Sequence, residues 1–185
     1  LAANFGVVHH QPNTSTGYSA TLFRRRTVSP GDATGGFAFA IRGTELSGDQ
    51  WNDLWRTDVG QIFLGGNAVS QRLDMQRHWD GMLANAPGYQ VDPQFLPALQ
   101  AADVNVTGHS LGGHLATWFA IDRRGALGHA FTFNGAGVAY ANSMAPTRGV
   151  SNFVSDAYAD FIKWAGTQYV GADRIFIESG IGGEW

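Results

Sequence analysis

The chain has 185 residues, the length of one ordinary domain, and 44% of them are hydrophobic, which excludes a disordered tail. Its 12 basic and 15 acidic residues give a net charge of −3, so no basic face is available to follow a phosphate backbone and nucleic acid is not an expected partner. With no cysteine there is no disulfide, thiolate or Cys-zinc chemistry, and no apolar run approaches the roughly 18 residues of a membrane span.

Leu1 to His10 lack the basic start and long apolar stretch of a signal peptide, and also an initiator Met. Ser19 to Phe23 alternates and runs into Arg24-Arg25-Arg26, a strand with a solvated end. Thr27 to Gly36 is a turn, and Phe37 to Ile41 is a second strand, making a hairpin with the first. Asp49 to Ile62 is predicted helical, with Trp51, Leu54, Trp55 and Val59 at helical spacing. Asn67 to Ala86 is the strongest predicted helix: Val69, Leu73, Trp79, Met82, Leu83 and Ala86 follow a period near 3.6, and Pro87-Gly88 stops it. Its Met and aromatic positions suit a core, and His78 suits a groove or the surface.

The second half alternates strands with helices. Val104 to Thr107 is a strand, Leu111 to Arg123 a small-residue helix and His129 to Asn134 a strand. Gly149 to Val154 is a further strand, Asp160 to Tyr169 a short helix and Arg174 to Glu178 a last strand. This pattern predicts an α/β fold with a mostly parallel sheet, flanking helices and an N-terminal antiparallel hairpin, in a single domain spanning 1–185.

Chemistry concentrates in Thr107-Gly108-His109-Ser110-Leu111-Gly112-Gly113. Gly-x-Ser-x-Gly between a strand and a helix is the context of a nucleophile elbow. The serine must stand clear of the sheet on a sharp turn too crowded for side chains at Gly108 and Gly112. The helix that follows aims free N–H groups at any oxyanion forming nearby. Ser110 is therefore the candidate nucleophile.

Upstream, Phe39-Ala40-Ile41-Arg42-Gly43-Thr44-Glu45 is followed by Asp49, Trp51, Asp53, Leu54 and Asp58. Together with the elbow and Phe131-Thr132-Phe133-Asn134-Gly135-Ala136-Gly137, this resembles the class 3 lipases, including bacterial phospholipase A1 and repeat-in-toxin-type secreted lipases. The resemblance runs from about Tyr18 to Val154. It implies an α/β-hydrolase fold and oxyanion donors at Thr44 and at the Leu111 N–H. It also implies a triad acid at Asp156, the carboxylate that ends the stretch Val150 to Asp156, with Asp160 as rival. Asp103, Asp122 and Asp173 fit that place less well.

Histidine is where the sequence departs from the family. The general base should follow the acid, yet the six histidines, His9, His10, His78, His109, His114 and His129, all precede it. His109 belongs to the elbow, His114 is expected to pack, and the His9-His10 pair has no neighbouring Asp or Glu with which to hold a metal. The last strand looks like the one that leads into the family's histidine loop, so the expectation is a chain cut short at its C-terminal end, with the base just beyond Trp185.

The resulting expectation is a serine-dependent carboxylic ester hydrolase acting on lipids, a lipase or phospholipase A1, through an acyl-enzyme. It needs no cofactor or metal, meets its substrate at a lipid interface and, by resemblance, is secreted. A small-ester esterase or thioesterase on the same fold remains open. So does a non-catalytic binding module, which the missing histidine favours.

Overall fold

The computed structural model describes residues 3–43, 68–135, 149–155 and 173–177. Seven strands lie in one sheet in the order in which the chain makes them: β1 (Phe5–Gln11), β2 (Ala20–Arg25), β3 (Phe37–Ile41), β4 (Val104–His109), β5 (Leu127–Phe133), β6 (Val150–Ser155) and β7 (Asp173–Ile177). β1, β2 and β3 pair antiparallel, and from β3 to β7 every pairing is parallel. The mixed sheet and the predicted hairpin are thus observed, with Ala20 opposite Ile41 and Arg24 opposite Phe37.

One face of the sheet carries the core. Registers Phe39 to Val106 to Ala130 to Val150 put four buried apolar residues in one row across β3, β4, β5 and β6. Two helices cover this face: α1 (Val69–Leu83) and α3 (Leu111–Asp122). They meet over an aromatic cluster in which Phe39, Trp79 and Phe119 have ring centroids 5.0–5.6 Å apart. Rings in tilted and edge-to-face pairs gain attraction beyond their burial. A polar clamp ties the same two helices. The Arg72 guanidinium of α1 lies 3.6 Å over the Trp118 ring and bonds both carboxylate oxygens of Asp122, its Nε–H donating at 2.7 Å.

α1 buries the Met and Trp positions expected in the core, but differs from its prediction at Val69, Leu73 and His78. Met75, His78, Trp79 and Met82 are buried, whereas Val69 and Leu73 are 53% and 44% exposed. His78 is 1% exposed, not at a surface, because hydrogen bonds to both ring nitrogens satisfy it inside. The helix also stops before Pro87. Asn85 turns left-handed (φ 49°), the Ala86 N–H donates to Gly81 O and the Asn85 N–H to Met82 O. This is a Schellman closure with asparagine in the place glycine most often takes.

Three elements had no sequence expectation: β1, the short α2 (Leu96–Ala101) and a 3₁₀ turn, Arg124–Ala126. β1 carries Gly6, two histidines and a bulge between Val7 and His9, so it shows no clean alternation. At the end of β2, Arg24 is not simply solvated. Its guanidinium lies 5.1 Å from the centroids of both the Phe37 and Phe95 rings. The predicted helices at 49–62 and 160–169 lie outside the described residues. Among the described residues no helix is long and apolar enough to cross a membrane.

Candidate active site

β4 ends at His109 and α3 begins at Leu111, so a single residue, Ser110, makes the whole turn. Its backbone sits at φ 53°, ψ −118°, a region that side chains rarely occupy and that costs roughly 1–3 kcal/mol. Such strain persists only where surroundings over-determine it. Here the Ser110 N–H donates to Phe133 O on β5 at 2.9 Å, and Ser110 O accepts the first intrahelical bond from the His114 N–H at 3.0 Å.

The two motif glycines are required by space. A Cβ on Gly108 would run into the Gly112 carbonyl and lie 2.7 Å from Gly113 N. A Cβ on Gly112 would meet Arg42 C and Gly43 N at 2.9 Å, where the end of β3 passes under the helix. Strand end, elbow and helix start therefore touch backbone to backbone. The first N–H groups of α3 have no intrahelical partner and open beside Ser110, where they can receive a developing negative oxygen. That of Leu111 is the second oxyanion donor of the resemblance. Thr44 follows directly on Gly43 in sequence and Asp156 directly on Ser155, but both lie outside the described residues, as does Asp160.

The histidines are committed elsewhere. His114 is fully buried, and its Nε2 accepts from the Trp118 indole N–H at 3.1 Å and from the Ala68 N–H at 3.5 Å, so its lone pair is occupied and it packs as expected. His129 bonds Ser151 Oγ at 2.9 Å and stands in register with Asn105, four residues before His109. At about 3.3 Å per residue that is roughly 13 Å from the elbow. His109 is exposed, and strand alternation turns it to the sheet face opposite Gly108. The adjacent His9 and His10 part company: His10 bonds Thr21 on β2, and His9 bonds His78. Among the described residues no hydrogen bond joins a histidine to Ser110 Oγ.

The chain Tyr18–His78–His9 is the polar feature that the sequence did not reveal. Tyr18 Oη lies 2.9 Å from His78 Nδ1, and His78 Nε2 lies 2.9 Å from His9 Nδ1. Burial, reinforced by His9 and His10, pushes His78 down to about 3. Burial also lowers His9 and raises the Tyr18 phenol. Nothing in the spacing of Tyr18 and His78 could have announced this pairing, since the segment before β2 and a helix distant in sequence bring it together.

Solved structures share this fold. Lip2 lipase from Yarrowia lipolytica matches over 94% of this chain at 15% identity with a TM-score of 0.54. A triacylglycerol lipase whose catalytic centre is a serine protease triad matches over 83% at 18% identity, also with a TM-score of 0.54. The native Rhizomucor miehei lipase propeptide complex matches over 83% at 17% identity, with a TM-score of 0.51. The fold is that of the α/β-hydrolases. The chain spans 66% of the Yarrowia lipase, 58% of the triad lipase and 50% of the Rhizomucor lipase, so only part of each of those hydrolases has a counterpart here. No protein-family model matches the chain, and no curated protein matches it by sequence.

Proposed function

We propose that the protein is a serine-dependent carboxylic ester hydrolase acting on lipids, of the class 3 lipase or phospholipase A1 kind. The observation that carries this reading is the strained residue Ser110, held between the end of a parallel strand and the start of a helix in an α/β-hydrolase fold. In this reading Ser110 Oγ attacks the acyl carbon and its proton passes to an imidazole. The tetrahedral oxyanion is met by the N–H groups of Leu111 and Thr44. Collapse expels the alcohol, which takes the proton back, and water then hydrolyses the acyl-enzyme by the same route. Asp156 orients the imidazole and stabilises its charged form. None of the six histidines within 1–185 is assigned as that imidazole, since each has another place in the fold. Substrate would be met at a lipid interface, outside the cell.

A fluorophosphonate probe on the full-length protein tests the nucleophile. Ser110 should be modified, and Ser110→Ala should lower ester turnover by several orders of magnitude without loss of fold, since only oxyanion and binding effects then remain. A variant keeping a tenth of the activity removes Ser110 from the role. The absence of a histidine beside Ser110 favours a second reading, a non-catalytic binding module. Failure of the probe to label Ser110 in the full-length protein would support it.

A further inference from the structure

The α3-facing side of β5 and β6 is apolar at Ala130 and Val150, but two residues further along each strand it turns polar, at Thr132 and Asn152. Both are fully buried. A buried amide is costly unless bonded, and Asn152 is bonded to specific partners. Its Oδ1 accepts from Thr132 Oγ1 at 2.8 Å and from the Gly135 N–H at 3.2 Å, while its Nδ2 donates to Gly135 O at 3.4 Å. The side chain thus grips both polar groups of Gly135, as a strand neighbour would.

Gly135 is in turn seated on the elbow helix. A Cβ on Gly113, the third residue of α3, would lie 2.7 Å from Gly135 Cα, and a Cβ on Gly135 would lie 3.2 Å from Gly113 Cα. Between the two grips, the left-handed Asn134 (φ 45°) donates its N–H to Phe153 O at 2.7 Å, and Phe133 O accepts from the Ser110 N–H. Residues 133–135 therefore form a strap fastened to β6 on one side. On the other side it presses on the turn that carries Ser110 and on the helix start that carries the oxyanion donor.

We propose that Asn152 is a positioning residue that sets Ser110 and the first turn of α3 in reactive register through Gly135. The proposal rests on the reading of Ser110 as nucleophile. Asn152 makes no contact with substrate. It fixes the height of α3 above the sheet, and with it the direction of the Leu111 N–H. Thr132 fixes the amide's orientation by donating to Oδ1, which leaves Nδ2 facing Gly135 O.

The test compares Asn152→Ala, Thr132→Val, Thr132→Ser and Ser110→Ala in the full-length protein. It reads kcat and KM on a p-nitrophenyl ester, the rate of fluorophosphonate modification and the melting temperature. A misplacement of about 1 Å can cost roughly 100-fold. Asn152→Ala should therefore lower kcat and the labelling rate by tens of fold, with KM within about threefold. Thr132→Val, isosteric but unable to donate, should lower kcat several-fold, and Thr132→Ser should recover it. If Ser110→Ala abolishes turnover while Asn152→Ala and Thr132→Val keep wild-type kcat, Asn152 is structural only and the proposal is overturned. If Ser110→Ala keeps its turnover, the nucleophile reading itself has failed and this inference goes with it. Should Asn152→Ala not fold, the Thr132 pair decides: loss with valine and recovery with serine supports the proposal, and wild-type kcat in both overturns it.

Discussion

Replacing Gly108 by alanine tests whether the elbow is built as described. The added methyl would come within 2.7 Å of Gly113 N and closer still to the Gly112 carbonyl, where ordinary packing begins at 3.4 Å, so α3 would have to retreat by more than about 0.7 Å, the carbonyl setting the limit. The obstructing atoms are backbone and cannot rotate away. α3 is itself held by Leu115 and Phe119 in the core and by the Arg72–Asp122 clamp, so the strain has no soft outlet. Overpacking costs roughly 1–3 kcal/mol, and a backbone collision belongs at the upper end. At roughly 2–4 °C per kcal/mol for a chain of this length, the melting temperature should fall by about 6–12 °C. Turnover should drop by about 100-fold, because the displaced atoms are those that aim Ser110. Gly125→Ala is the control: a Cβ there meets nothing within 4 Å, so it should leave turnover unchanged and raise the melting temperature by a few degrees. Thermal melts by circular dichroism and ester turnover of the full-length protein read both effects. A Gly108→Ala variant that melts within about 2 °C of wild type and turns over normally would refute the reasoning.

Three further outcomes follow from the site and its surroundings. Asp156→Asn should lower kcat by roughly 10⁴-fold if the acid acts as in a serine protease triad, whereas Asp160→Asn should cost little, and reversed effects would move the acid. Rates on p-nitrophenyl esters should rise from acetyl to octanoyl, since each buried CH₂ contributes roughly 0.8 kcal/mol, and a steady fall would point to a small-ester esterase. The buried His78 takes up its proton only near pH 3, against about 6.5 when unfolded, so its contribution to stability is complete above pH 6.5 and is lost as pH falls toward 3. Urea unfolding at pH 7, 5.5 and 4 should show a shallower acid limb in His78→Gln than in wild type, and equal slopes would remove His78 from the linkage.

Where local pattern and tertiary demand agree, the sequence was readable. Phe37 to Ile41 is apolar and bounded by glycines, and the structure has a strand at those same residues. The elbow was legible because crowding at one turn leaves a signature of glycines around a serine. What could not be read is set by partners far along the chain. β1 shows weak alternation and becomes a strand by pairing with β2. On α1 the Met and Trp positions were legible as core, whereas Val69, Leu73 and His78 were not, because burial follows the direction of the sheet, and Tyr18 and His9 make a buried imidazole acceptable. Asn152 looked like one more strand residue, and only the return of the chain through Gly135 gives it a task.

The sheet is laid down in the order of synthesis, each strand docking on the one before it. A nascent chain leaving the ribosome would always present one open edge, and the next strand to emerge is the one that closes it. Among the described strands no later one has to insert between two already paired, so none of them needs a sheet to be pried apart. The turn at Ser110 is the exception to this steady growth. Its backbone is held in place by Phe133 and by Gly135, both of which emerge after it. The strained residue must therefore wait, unsupported, until β5 and Gly135 have been made, so its geometry is acquired well after the turn itself emerges.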